Sequence, residues 1–215
     1  MDSNPCPPPP RRPSESGSTA GFHLGSEATI LRYTEGMATT TGLTIQEFLA
    51  RPLPEGQRYE LVDGRIVPMG NAKYPHERVK ANANVVFVGY FLQHPIGLVH
   101  LETMYQLADD EARQPDLSIL LNDQIPARAP DSLLDLAPAV VFDVVSSESA
   151  SYLERRVERF LEKGSRAVLI AYPESGVIHI FTPDGLFHAV RADQCVTLDC
   201  LPGFSVPTSR FFEGL

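Results

Sequence analysis

The chain has 215 residues, 43% of them hydrophobic, enough to build one domain with a well-buried core. Its net charge of −9 argues against a general polyanion binder, because phosphate contacts are made chiefly by Lys and Arg, although a local basic groove is still compatible with that balance. No apolar run approaches the roughly 18–20 residues needed to cross a bilayer, and no apolar signal core follows the first charges, so a cytoplasmic protein without a membrane partner is expected.

Residues 1–36 are rich in Pro, Ser and Gly and poor in periodic apolar residues, a composition that reads as a disordered leader. Met37 opens more ordinary sequence and is an alternative start. The folded domain is expected over residues 43–215. Cys6, Cys195 and Cys200 form neither a disulfide framework nor a C-x-x-C pair, and are read as free thiols.

Thr44-Ile-Gln-Glu47 is a capping-box pattern that predicts a short helix to about Ala50. Asp63-Gly64 between Arg58–Val62 and Arg65–Met69 predicts a hairpin, with Glu60 on its first strand. From His76 to Gln93, Val79, Ala83, Val86, Phe87, Tyr90 and Phe91 recur at helical spacing, so a long helix should cover one sheet face. Strands are expected at Leu98–Gln106, Arg113–Leu121 and Ala139–Ser146, with Asn122–Pro138 as a lid or an ordered surface loop. A helix over Ser151–Lys163 should stop at Gly164. Strands at Arg166–Tyr172, Val177–Thr182 and Leu186–Val190 then close the chain in a meander. The order indicates an α/β domain: a mixed sheet flanked by helices, with an N-terminal hairpin and a C-terminal β-meander.

Within Ala139–Ser146 a single carboxylate, Asp143, interrupts a buried apolar strand. A charge there needs a partner, so Asp143 is either functional or half of a buried ion pair. Asp116 follows Pro115 at a strand entry, where a turn or cap role is the competing reading. Neighbouring strands lie about 4.8 Å apart, close enough to aim both carboxylates at one hard cation. His76 heads its helix, as a cap or as a site residue. His23, His94, His100, His179 and His188 show no metal-like spacing. Phosphate-binding G-x-x-x-x-G-K-[ST], dinucleotide G-x-G-x-x-G and nucleophile-elbow G-x-S-x-G motifs are absent, which removes ATPase, dehydrogenase and α/β-hydrolase readings.

The ordered set Tyr59-Glu-Leu-Val-Asp-Gly64, His76, Gln114-Pro-Asp116, Phe142-Asp-Val-Val-Ser146, a helix ending in Gly164, and Leu201-Pro-Gly-Phe204 resembles the bacterial Uma-two family of predicted endonucleases over residues 43–215. That family lies in the PD-(D/E)xK, or restriction-endonuclease-like, superfamily, so the resemblance implies that fold and Mg²⁺-dependent hydrolysis of DNA, with Mn²⁺ as a substitute. It implies Asp116 and Asp143 as metal ligands, Glu60 as the upstream acid, acting as ligand or as base through water, and His76 as an accessory. Asp143 stands where the family usually has Glu, and Val145 stands where the superfamily has its strand Lys. The family offers a Lys from the following helix instead; Arg156 matches it, while Arg155 points outward. A guanidinium stays protonated, so Arg156 is suited to holding phosphate rather than deprotonating water. The alternatives are a catalytically weakened module that binds nucleic acid or protein, or a homodimer joined through its sheet or terminal meander.

Overall fold

The computed structural model describes residues 42–128, 130–146 and 148–215; the expected leader and the Met37 start lie outside them. In chain order the elements are α1 (Ile45–Ala50), β1 (Tyr59–Val62), β2 (Arg65–Pro68), α2 (Tyr74–Gln93), β3 (Gly97–Leu101), β4 (Tyr105–Ala108), β5 (Glu111–Arg113), β6 (Leu117–Leu121), β7 (Val140–Val144), α3 (Ala150–Lys163), β8 (Ala167–Tyr172), β9 (Val177–Phe181), β10 (Phe187–Val190), β11 (Cys195–Thr197), β12 (Ser205–Pro207) and a terminal 3₁₀ turn, Thr208–Phe212. The capping box closes α1 as expected, with the Thr44 and Glu47 side chains each accepting the other's backbone N–H.

Six strands form the main sheet in the order β10-β9-β8-β7-β6-β3, antiparallel except for β7 and β8, which run parallel because α3 crosses between them. A smaller antiparallel sheet, β2-β1-β5-β4, stands apart, and β11 pairs β12. The meander is present as β8-β9-β10. One face of the main sheet packs on α2 through Val79, Ala83, Phe87 and Phe91, with Phe87 against Phe142, Phe204 and Phe211. The other face packs on Val157 and Phe160 of α3.

Two expected strands are each split. Leu98–Gln106 breaks at Glu102, whose φ of 49° turns the chain, and its halves become β3 in the large sheet and β4 in the small one. Arg113–Leu121 breaks at Gln114-Pro-Asp116, because Pro115 has no N–H for a ladder, and its halves become β5 and β6. Asp116 therefore sits at the corner where the chain passes from one sheet to the other. Cys200 is a free thiol as expected; Cys195 is disulfide-bonded, which corrects the expectation for that residue.

The β1–β2 hairpin turns at Asp63 and Gly64, both at positive φ as a type I′ turn requires. Gly64 also donates to Asp110 O and accepts from Leu43 N, and a Cβ there would lie 2.8 Å from Gly42 C and 2.9 Å from Leu43 N. Gly64→Ala is expected to cost about 1–3 kcal/mol, measured by denaturant unfolding, since it adds left-handed strain to a backbone clash.

Candidate active site

Strand β7 is buried along its whole length. Val140, Phe142 and Val144 join the α2 side of the core and Val141 the α3 side, so alternation sends Asp143 toward α3. Asp116, at the entry of the neighbouring β6, meets it there. The two residues brace one another reciprocally: Asp116 N–H donates to Asp143 Oδ1 at 2.9 Å, and Val144 N–H donates to Asp116 Oδ2 at 2.8 Å. Both carboxylates line a cleft of about 350 Å³, whose walls include His76, Gln114, Tyr152 and Arg156.

Arg156 enters from the second turn of α3 and is buried. Its Nε donates to Asp143 Oδ2 at 2.6 Å and Nη2 to Asp143 Oδ1 at 3.3 Å and to Gln114 O at 2.9 Å. Nη1 reaches both Glu60 oxygens at 2.7 and 2.9 Å. A guanidinium has five N–H groups, and here each has an acceptor inside the protein. Contact with a phosphate would break one of these bonds. These contacts make Arg156 a fork joining Asp143 to Glu60.

Glu60 is 0% exposed and lies beneath the cleft rather than on its wall. Besides Arg156 it accepts from Gln114 N at 2.6 Å, Tyr152 OH at 2.5 Å and Arg113 Nη1 at 3.3 Å. Burial alone would raise its carboxyl, but Arg156, Arg113, Tyr152 and Gln114 hold it below the usual value. A carboxylate so fully engaged is an anchor, and the ligand role expected for it would require rearrangement. Arg113 is itself buried between Glu60 and Glu111 and stacks over the Tyr152 ring. Sequence reading missed Arg113, Glu111 and Tyr152 and named Gln114 only within the motif before Asp116; for all but Tyr152 the available signal was the polar run Glu111-Ala-Arg-Gln114 set between apolar strands. Arg155 lies outside as expected and pairs with Asp63.

The two aspartates are pushed apart. Burial raises the Asp143 carboxyl, Arg156 opposes this, and the charge of Asp116 adds to it, leaving Asp143 above the ordinary range. Burial also acts on Asp116, but His76, Val144 N–H and Arg156 outweigh it and hold Asp116 below that range. His76 Nε2 lies 3.1 Å from Asp116 Oδ2. Burial disfavours its cation, yet Asp116 lifts the His76 pKa above its usual value. The stability carried by this raised histidine is complete below its unfolded pKa and is lost as pH rises through the folded one. Thermal melts of the wild type should therefore show a fall in melting temperature as pH rises from about 6 to about 9, and His76→Gln should reduce that fall.

Among the described residues no group of three or more His, Cys, Asp and Glu side chains is arranged to hold a metal ion. That does not disfavour Mg²⁺, which keeps several waters and is held through one or two carboxylates together with substrate phosphates. Asp116 Oδ1 accepts no hydrogen bond within the described residues, Asp143 is held at elevated pKa beside it, and both border an open cleft. This donor set fits a hard divalent cation. Among the cleft residues there is no lysine, and Arg58 is paired with Glu102 at 2.8 Å.

Residues 45–209 match the model of a family, Uma2, described as "Putative restriction endonuclease". A crystal structure from Anabaena variabilis, titled as that of a "putative nuclease belonging to DUF820", superposes with a TM-score of 0.70 at 18% identity, covering 79% of this chain and 97% of that one. At that identity the likeness establishes the fold. No curated protein matches the chain.

Proposed function

We propose that this chain, which belongs to the Uma2 family, hydrolyses DNA phosphodiester bonds as a Mg²⁺-dependent endonuclease, with Mn²⁺ as a substitute. The observation that carries the reading is the reciprocal brace of Asp116 and Asp143, which fixes two carboxylates of unequal acidity side by side on one cleft. Paired carboxyls with divergent pKa values are a mark of working sites rather than of surface ion pairs.

Asp116 and Asp143 would hold the ion, with Oδ1 of Asp116 the oxygen least committed elsewhere. When bound, Mg²⁺ neutralises phosphate oxygens and brings the pKa of an attacking water toward neutrality. His76 holds Asp116 in place and keeps it ionised. Arg156 fixes the Asp143 carboxylate through two N–H groups and is itself fixed by Glu60, so the orientation of Asp143 is set three elements deep. Gln114 closes the brace by offering its carbonyl to Arg156 and its N–H to Glu60.

A second reading has its own support: the saturated guanidinium of Arg156 and the absence of lysine from the cleft fit a nuclease-fold protein that binds nucleic acid or a protein without turnover. Among the described residues no helix is long and apolar enough to cross a membrane. Supercoiled plasmid separates the readings. The enzyme should yield nicked circles with Mg²⁺ or Mn²⁺ and none with a chelator, whereas a binding module retards DNA in a gel and leaves it supercoiled under every condition.

A further inference from the structure

Helix α2 is apolar on two opposite faces. Val79, Ala83, Phe87 and Phe91 fill the core, but Tyr74, Ala81, Val85, Val88 and Leu92 follow one another on the outer side at intervals of seven, four, three and four, with Arg78 between the first two turned to Glu213 O. That alternation is the seam of a helix that packs on another helix. Tyr74 is 70% exposed, Val85 65% and Leu92 82%, so no described residue of the same copy covers these side chains. Gly89 adjoins Val85 and Leu92 in mid-helix, and a Cβ there would meet no atom within 4 Å, so a single copy gives no packing reason for a glycine. A closely approaching second helix does.

We propose that the outer face of α2 is the contact through which two copies of this chain associate. Charge selects the occupant. From Ala81 to Gln93 the helix carries no Asp, Glu, Lys or Arg, whereas the whole chain carries −9. Two copies repel over most of their surfaces and meet without like charges over Ala81–Gln93, while a nucleic acid would find no cation along that stretch to neutralise its phosphates. The seam is about 27 Å long and about 10 Å wide. That is roughly 300 Å² per copy, well short of the approximately 800 Å² per partner of a standard stable interface. So small a contact makes the association weak and reversible. The contact differs from the sheet or meander dimer expected from sequence.

Sedimentation velocity on the full chain between about 1 and 300 μM tests it. The wild type should pass from monomer to dimer over that range, and Leu92→Lys and Val85→Lys should each weaken association at least tenfold, with melting temperatures close to wild type because both sites are exposed. Lysine moves the net charge toward zero, so a loss of association cannot be ascribed to greater general repulsion. A wild type that stays monomeric throughout, or a dimer equally strong in both folded variants, overturns the proposal.

Discussion

Arg156→Met is expected to destabilise the fold by about 3–5 kcal/mol, the cost of leaving buried carboxylates without their counterion. The substitution leaves an unbranched apolar stem, shorter than arginine's, and removes every polar bond the guanidinium makes. Glu60 would retain Arg113, Tyr152 and Gln114 N–H, but Asp143 would retain only the backbone N–H of Asp116. Against a typical total stability of about 5–15 kcal/mol this loss is large. Arg156→Lys should cost less, about 1–2 kcal/mol, because one ammonium preserves the charge but cannot span Asp143, Glu60 and Gln114 together. Urea unfolding of the three proteins gives both figures, and equal midpoints for wild type and Arg156→Met would show that the guanidinium is not the strut described.

Asp116→Asn should lower plasmid nicking by about 10²–10³-fold while leaving the melting temperature within a few degrees of wild type. The magnitude corresponds to removing roughly 3–4 kcal/mol of charge stabilisation at the reacting phosphate. Asp116 suits this experiment better than Asp143. Its Oδ2 accepts from Val144 while Oδ1 has no described donor, so an amide fits with its oxygen toward Val144 and its NH₂ toward the cleft. Both oxygens of Asp143 accept from donors, so an amide in that position would set N–H against Arg156 or against Asp116 N–H, and lost activity would be confounded with lost packing. The plasmid assay on Asp116→Asn, read beside its thermal melt, separates chemistry from folding.

Elements fixed by short-range patterns were legible in the sequence. The Asp63-Gly64 turn, the cap at Thr44, the core stripe of α2 and the stop at Gly164 all depend on neighbours a few residues away, and the structure places them within a residue or two of expectation. The breaks at Glu102 and at Gln114-Pro-Asp116 were not legible, because a strand passing from one sheet to another is decided by distant partners. Yet that second break delivers Asp116 to Asp143.

The charges in apolar strands announced Asp116 and Asp143, and helical phase brought Arg156 to the core edge. How deeply Glu60 sits, and that every Arg156 N–H is already engaged, could not be read locally, since β1, the β5–β6 corner, β7 and α3 converge to make those contacts. The same phase reasoning found the inner stripe of α2 and passed over the outer one. Only exposure distinguishes an uncovered seam from a second core face.

Joint uptake of a divalent cation by Asp116 and Asp143 is decided by calorimetric titration of Mn²⁺ into wild type and Asp116→Asn. Binding needs Asp143 ionised, and its pKa is raised, so wild-type affinity should increase as pH climbs through that elevated value. One Mn²⁺ should bind per wild-type chain with this pH dependence, with affinity at least tenfold weaker in Asp116→Asn. Absence of Mn²⁺ binding by the folded wild type, or equal affinity in the two proteins, would contradict it.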